Sequence, residues 1–164
     1  MKRFVGPVIL LFALAVAAVC VGTAVGSSTN FTASYKGHVT EVVNGNAVTA
    51  TPKGTGKATL IGKGSLTGTV AGNTSNPPCT PLSGPGILKG SKGKLKLKLT
   101  NTPALSRACA AGQDDQNNIS FSGSAKVTGG TGALKNAKGT LHYSGHYDRG
   151  THAFNVKLTG TLKH

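Results

Sequence analysis

The stretch VTGGTGALKNAKGTLHYSG, from Val127 to Gly145, decides the class of the fold, because it resembles both a phosphate-binding loop and a turn between two strands. A Walker loop places a lysine after its last glycine, whereas here Lys138 precedes Gly139. The dinucleotide fingerprint fails as well, because Lys135 stands in place of its third glycine and no βαβ unit follows. We therefore predict a strand, a glycine turn, one short helical turn at 133–137 and a second strand, with no nucleotide site and no cofactor.

The rest of the chain repeats this pattern of short strands and turn residues. Glycine is abundant, with 24 in the chain, and Thr, Val, Ser and Leu alternate without a helical period. The pattern predicts an all-β protein, namely a single antiparallel barrel of about eight strands, with a β-sandwich as the alternative. One helical turn is expected at Ala104–Ala110. The predicted strands cover residues 31–43, 47–51, 56–61, 65–71, 86–89, 94–100, 119–128, 139–147 and 152–162.

The last predicted hairpin has a testable register. The apolar residues of its two strands lie on the same side of the sheet only if the sequence numbers of each pair of opposite residues add up to an odd number. A two-residue turn at Arg149-Gly150 meets this condition and pairs Tyr143 with Val156 and Gly145 with Phe154.

Three histidines lie in this hairpin. His142 and His146 are four residues apart, which is about 13 Å along a strand and too far for one metal ion, so no metal site is predicted. His152 shares the inward face and is expected at the mouth of the barrel, opposite Tyr147. His152 and the inward-facing Tyr143 are therefore the candidate binding residues of the interior.

No arrangement of catalytic residues stands out. The chain has no G-x-S-x-G nucleophile elbow and no carboxylate pair on adjacent predicted strand positions. Glu41 shares a face of the first strand with Val39 and Val43, so it is either an inward acid of catalytic use or a residue of the rim.

The chain is strongly basic, with 18 basic and 4 acidic residues and a formal net charge of +14. The segment KGKLKLKLT alternates Lys94, Lys96 and Lys98 on one face with leucines on the other, which predicts a half-buried strand. Lysines spaced at about 6.6 Å along such a strand can follow a polyanion. They also serve solubility and discourage edge pairing, and both interpretations stay open.

The N-terminus has the features of a secretory signal peptide. A basic start precedes an apolar run of 14 residues, Val8–Val21, and small residues at 24 and 26 fit a cleavage site before Ser27. We interpret residues 1–26 as the signal peptide and residues 27–164 as one all-β barrel domain. A retained membrane anchor and lipidation at Cys20 are the alternatives. All three place the domain outside the cytoplasm.

The cysteines agree with an exported chain. Removal of the signal peptide leaves Cys79 and Cys109, and an even pair in an exported protein predicts a disulfide. The bond is expected to join two long loops. A metal site is disfavoured because no second Cys or His lies within four residues of either cysteine.

The glycine turn carries a resemblance to a known family. Its glycines, a following apolar residue, a small residue and a glycine at the start of the next strand are Gly129, Gly130, Gly132, Leu134, Ala137 and Gly139. This motif resembles that of the allene oxide cyclase and dirigent barrel superfamily, and of small exported bacterial proteins of the same type, over residues 119–162. The resemblance implies a calycin-like barrel in which these glycines bend the chain. It implies no catalytic residues, because the acidic and aromatic lining residues of those enzymes have no matching positions.

These features predict an exported protein that acts as a binding or cell-envelope-associated module with a basic surface. The expected partners are an anionic envelope polymer or lipid headgroups. Specific nucleic-acid recognition is not expected, because Trp is absent and most Phe and Tyr residues are predicted in the core. The alternative is a cyclase-like or isomerase-like enzyme, or a carrier, for a hydrophobic small molecule inside the barrel. An open cavity with convergent polar groups would favour this alternative, and a filled core would favour the surface module.

Overall fold

The computed structural model describes residues 28–75, 77–100, 106–112 and 115–163. The predicted signal peptide, residues 1–26, lies outside them. No helix in the described part of the chain has the length and apolar character needed to cross a membrane. The strands are β1 (Ser28–Asn44), β2 (Ala47–Ala58), β3 (Gly62–Gly68), β4 (Val70–Asn73), β5 (Cys79–Gly90), β6 (Gly93–Leu99), β7 (Ser106–Ala110), β8 (Asn118–Gly132), β9 (Lys138–Asp148) and β10 (Ala153–Lys163).

The strands form one antiparallel sheet that closes on itself. Their order is β1-β10-β9-β8-β6-β5-β3-β2, and β2 pairs again with β1 to complete the ring. Two short strands continue the positions of others in the ring. The strand β4 extends the position of β3, between β2 and β5, and β7 extends the position of β6, between β5 and β8. The ring therefore has eight strand positions. The predicted all-β barrel is confirmed, and the β-sandwich alternative is set aside.

Three local predictions were wrong. The prolines between residues 73 and 86 predicted a loop over that whole range, yet β5 begins at Cys79 and contains Pro81 and Pro85. A proline has no N–H group to donate to a neighbouring strand. The loss is tolerated where that neighbour is interrupted, and beside Pro85 the neighbour is interrupted between β3 and β4. The helical turn predicted at 104–110 is replaced over its described residues by β7, which pairs on both sides. Residues 133–137 form hydrogen-bonded turns and not a helix.

The last hairpin keeps its predicted faces but shifts its register by two residues. Tyr143 pairs with Leu158, and Gly145 pairs with Val156 and not with Phe154. The connection is longer than two residues because the Asp148 carboxylate accepts hydrogen bonds from the N–H groups of Gly150 and Thr151, at 2.7 and 3.2 Å. A shift of two preserves the alternation of faces, so the predicted inward residues still point inward.

The two ends of the barrel differ. At the closed end lie the turns at 59–61, 91–92 and 133–137, and the interior there is filled. At the open end lie the turn at 45–46 and residues 74–75, 77–78, 111–112, 115–117 and 149–152. The fully buried side chains of the closed end are Phe31, Ile61, Leu88, Leu95, Leu134, Leu141 and Leu162.

The glycine turn plugs the closed end. Its glycines are Gly129, Gly130, Gly132 and Gly139, of which Gly132 is the most constrained, with a φ of 61°. A Cβ at Gly132 would lie 2.3 Å from the Lys92 carbonyl oxygen, so a side chain is excluded by contact as well as by conformation. The turn thereby directs Leu134 into the core, where the side chain is fully buried.

Candidate binding cavity

The open half of the barrel encloses a cavity of about 650 Å³. Its wall is mostly apolar and combines aliphatic, aromatic and proline side chains. Cavities of about 300–1,000 Å³ with such walls bind small organic molecules. Side chains that line the cavity include Val39, Leu66, Leu97, Phe121, Phe154 and Leu158.

The cavity exists because small residues occupy inward positions in this half of the barrel. Gly86 pairs with Leu97 and shares its inward face. A Cβ built on Gly86 would meet no atom closer than 3.8 Å, so the space beyond it is open. Ala50, Ala108 and Ala125 contribute in the same way. Large side chains at the corresponding level of the closed end leave no such volume.

Four polar side chains gather at the opening, and we call them the mouth cluster: Glu41, Tyr147, Arg149 and His152. The Tyr147 hydroxyl donates to Glu41 Oε2 at 3.2 Å, and Arg149 Nη2 donates to Glu41 Oε1 at 3.4 Å. The Tyr147 oxygen also lies 3.4 Å from His152 Nδ1. Glu41 projects from β1 and is 14% exposed, whereas Arg149 is 35% exposed. Glu41, Tyr147 and Arg149 line the cavity.

The protonation state of Tyr147 follows from its surroundings. Burial is the largest cause, and the charge and hydrogen bond of Glu41 add to it, so the pKa of Tyr147 rises to about 12. The hydroxyl therefore remains a donor at neutral pH and holds the Glu41 carboxylate in place. Arg149 also donates to the Gln116 carbonyl oxygen at 3.3 Å, which connects the cluster to residues 115–117.

The predicted interior residues take different positions. The Tyr143 ring lines the cavity and lies 6.3 Å from the Phe121 ring, while its hydroxyl is enclosed in the wall without a hydrogen-bond partner. Burial raises the pKa of Tyr143, and the nearby Ser106 hydroxyl lowers it in part. Tyr143 therefore offers a ligand its ring and not its hydroxyl. His152 lies beside Tyr147, but its predicted inward position is wrong: β10 begins at Ala153, and His152 is exposed in the preceding turn with a φ of 58°.

The lysine stripe of the sequence, Lys94, Lys96 and Lys98, lies outside the barrel and does not converge with the cavity. All three side chains are exposed on β6, while Leu95 and Leu97 between them are buried. Other lysines of neighbouring strands face two of them directly: Lys89 is opposite Lys94, and Lys126 is opposite Lys98.

The remaining histidines of the hairpin point outward. His142 Nδ1 lies 3.1 Å from Ser124 Oγ, and His146 Nδ1 lies 3.2 Å from Ser120 Oγ, both across to β8. Within the described ranges, no three His, Cys, Asp or Glu side chains come together as metal ligands.

The predicted disulfide between Cys79 and Cys109 is confirmed. It joins two directly paired strand residues of β5 and β7, and not two loops as expected. The bond lies at the open end, where it ties the first residue of β5 to β7. A stable disulfide fits a compartment outside the reducing cytoplasm.

Sequence reasoning expected His152 and Tyr147 together at the mouth, but it missed the contact of Glu41 with Arg149. Glu41 was considered and Arg149 was assigned to a turn, but 108 positions separate them, and no local pattern indicates that they meet. Comparisons with protein families, curated proteins and solved structures find no match for the chain. The resemblance to the allene oxide cyclase and dirigent superfamily therefore stays a prediction.

Proposed function

We propose that the protein binds a hydrophobic small molecule in the open half of its barrel. The observation that carries the proposal is the cavity of about 650 Å³, whose apolar wall ends at the mouth cluster. A ligand with an apolar body would displace poorly bonded water from the wall, and its polar end would meet Glu41, Arg149 and Tyr147. The ligand class is thus an apolar compound with one polar end.

The proposal is binding and not turnover. Glu41 is the one carboxylate among the described residues of the cavity wall, and Tyr147 and Arg149 both donate to it. A carboxylate engaged in this way is poorly placed to take a proton from a ligand. The cavity therefore supports a cyclase-like or isomerase-like activity less well than it supports ligand binding.

A titration with the neutral fluorescent probe N-phenyl-1-naphthylamine tests the proposal. A neutral probe is needed because an anionic one would bind the lysines. We expect saturable fluorescence enhancement with one probe per chain and a dissociation constant in the micromolar range, as for a partly open apolar pocket. Enhancement that rises linearly with probe, or that n-alkanols fail to reverse, would contradict the proposal.

A second candidate function is binding of an anionic polymer or anionic headgroups by the lysine stripe. The direct pairs Lys89–Lys94 and Lys98–Lys126 support it, because like charges facing each other across strands destabilise a sheet unless a counter-charge is present. We infer that this takes place outside the cytoplasm, with residues 1–26 as the export signal and the Cys79–Cys109 bond as support.

Retention on an immobilised polyglutamate column tests this second function. Replacement of Lys94, Lys96 and Lys98 with Gln should lower the salt concentration at elution, because fewer counterions are released on binding. The matched control replaces Lys36, Lys53 and Lys157, which are exposed on β1, β2 and β10, and removes the same charge. Equal shifts for the two variants would show that only net charge matters.

A further inference from the structure

Charge is distributed unevenly along the barrel axis. The acids of the described residues are Glu41, Asp115 and Asp148, and all three lie at the open end. The closed end carries eight lysines and, among the described residues, no acid. We call them the lysine collar: Lys57, Lys63, Lys89, Lys92, Lys94, Lys135, Lys138 and Lys163.

The collar contains most of the unfavourable charge pairs of the sheet. Lys57 faces Lys63, Lys89 faces Lys94, and Lys138 faces Lys163 in direct cross-strand pairs. All six side chains are exposed. Residues in such pairs have Cβ atoms about 5 Å apart, and like charges there repel. Three such pairs at one end, without a neighbouring acid, indicate a surface whose counter-charge comes from outside the chain.

The N-terminal segment leaves the barrel at the same end. Ser28, the first described residue, pairs with Lys163. Six residues separate Ser28 from the apolar run Val8–Val21, and six residues reach at most about 20 Å. During export, or permanently if the run is retained, the closed end is therefore the end held next to a bilayer.

We propose that the lysine collar is a membrane-docking surface that binds anionic lipid headgroups and turns the open end away from the bilayer. This goes beyond the second proposed function, because it assigns the anionic headgroups to the collar and not to the lysine stripe. The attraction is electrostatic, because the exposed large apolar side chains of the described chain, Val42, Val43 and Ile87, do not belong to the closed-end turns. Basic residues close to an anionic bilayer each strengthen binding about fivefold.

Lysine footprinting of the full chain on vesicles tests the orientation without any substitution. The protein is acylated on vesicles of phosphatidylglycerol and phosphatidylcholine mixed, and on phosphatidylcholine alone, and the modified lysines are identified by mass spectrometry. We expect the collar to be protected on the anionic vesicles, while Lys36, Lys98 and Lys157 of the barrel wall react as in solution. Protection of the wall equal to that of the collar would overturn the proposal.

Matched variants test the energetics. One replaces Lys57, Lys63, Lys138 and Lys163 with Gln, and its control replaces Lys36, Lys96, Lys98 and Lys126, so both lose four charges. At about fivefold per lysine, the ratio of partitioning onto anionic and zwitterionic vesicles should fall roughly 600-fold in the first variant and less than about 10-fold in the control. If the control falls as far, the docking surface is wrong. If in addition only the control variant loses retention on polyglutamate, anion binding by the lysine stripe stands and the membrane-docking surface does not.

Discussion

The hydroxyl of Tyr147 lies 3.2 Å from the carboxylate of Glu41, although 106 positions separate the two residues. Glu41 is on β1 and Tyr147 on β9, and β10 runs between these strands in the ring. The contact therefore spans three strands at the opening of the cavity. Because β1 and β9 both pair with β10, the contact forms only when the first strand has joined the hairpin of the last two strands.

The tyrosine hydroxyls should ionise at a higher pH than a free tyrosine. Burial raises the pKa of Tyr35, of Tyr143 and of Tyr147, the last to about 12, and these are all the tyrosines of the chain. Absorbance at 295 nm should thus show little tyrosinate at pH 10, where a free tyrosine is half ionised. A native-state transition at pH 10 would contradict this.

The same shifts predict how stability depends on pH. A tyrosine whose pKa is higher in the folded protein than in the unfolded chain favours folding while it is protonated. This contribution is complete below pH 10 and is lost as the pH rises towards 12. Urea midpoints should therefore fall over that window, and the fall should be smaller in Tyr147→Phe than in the wild type.

The cavity can be filled by one substitution. Gly86→Leu should abolish binding of the neutral probe, because the new side chain enters the open space beside Leu97. We expect the free energy of unfolding to change by less than about 1 kcal/mol, since the added apolar burial offsets the conformational entropy that the new leucine side chain loses. The control is Thr140→Leu, which places the same side chain on the outer surface of β9. Retained binding in Gly86→Leu would place the probe elsewhere.

The glycine turn should tolerate no side chain. Gly132→Val should lower the free energy of unfolding by more than about 2 kcal/mol, because φ is 61° and the Cβ would overlap the Lys92 carbonyl. Gly112→Val is the control, since a Cβ there meets no atom within 4 Å. Urea denaturation measures both. Equal, small effects would mean that the turn can rearrange.

The disulfide should resist alkylation and stabilise the fold. In the unreduced full chain, only Cys20 should react, and mass spectrometry should find Cys79 and Cys109 unmodified. Their joint replacement with Ser should cost about 3–4 kcal/mol in the chain-entropy model for a loop of this length. It should also weaken probe binding, because the bond ties the strands at the open end. Rapid labelling of both cysteines in the native protein would be inconsistent with the bond.

The double-mutant cycle of Glu41→Gln and Arg149→Gln tests the mouth cluster. The pair is partly exposed, so we expect a coupling energy of about 0.5–1 kcal/mol in urea denaturation. The coupling should shrink at 1 M salt, where charges are screened over about 3 Å. Coupling that salt leaves unchanged would mean that the contact is not ionic.

The sequence by itself determined the features that depend on neighbouring residues. Alternation with a period of two assigned Leu95 and Leu97 to the core and Lys96 to the surface, because successive side chains of a strand point to opposite faces. The order of Lys138 and Gly139 departs from the Walker motif, and the even cysteine pair predicted the bond between Cys79 and Cys109.

Tertiary structure alone decided how the strands meet. The register of the last hairpin depended on the Asp148 carboxylate in its turn, since a shift of two residues leaves every face unchanged and no apolar pattern detects it. The cavity, the contact of Glu41 with Arg149 and the gathering of eight lysines at one end each require strands from distant parts of the chain. The alternation of residues along a strand fixes which face of the sheet a side chain takes. The pairing of strands into a ring fixes which side chains lie at the same height along the barrel axis. The proposed binding surfaces depend on this second relationship.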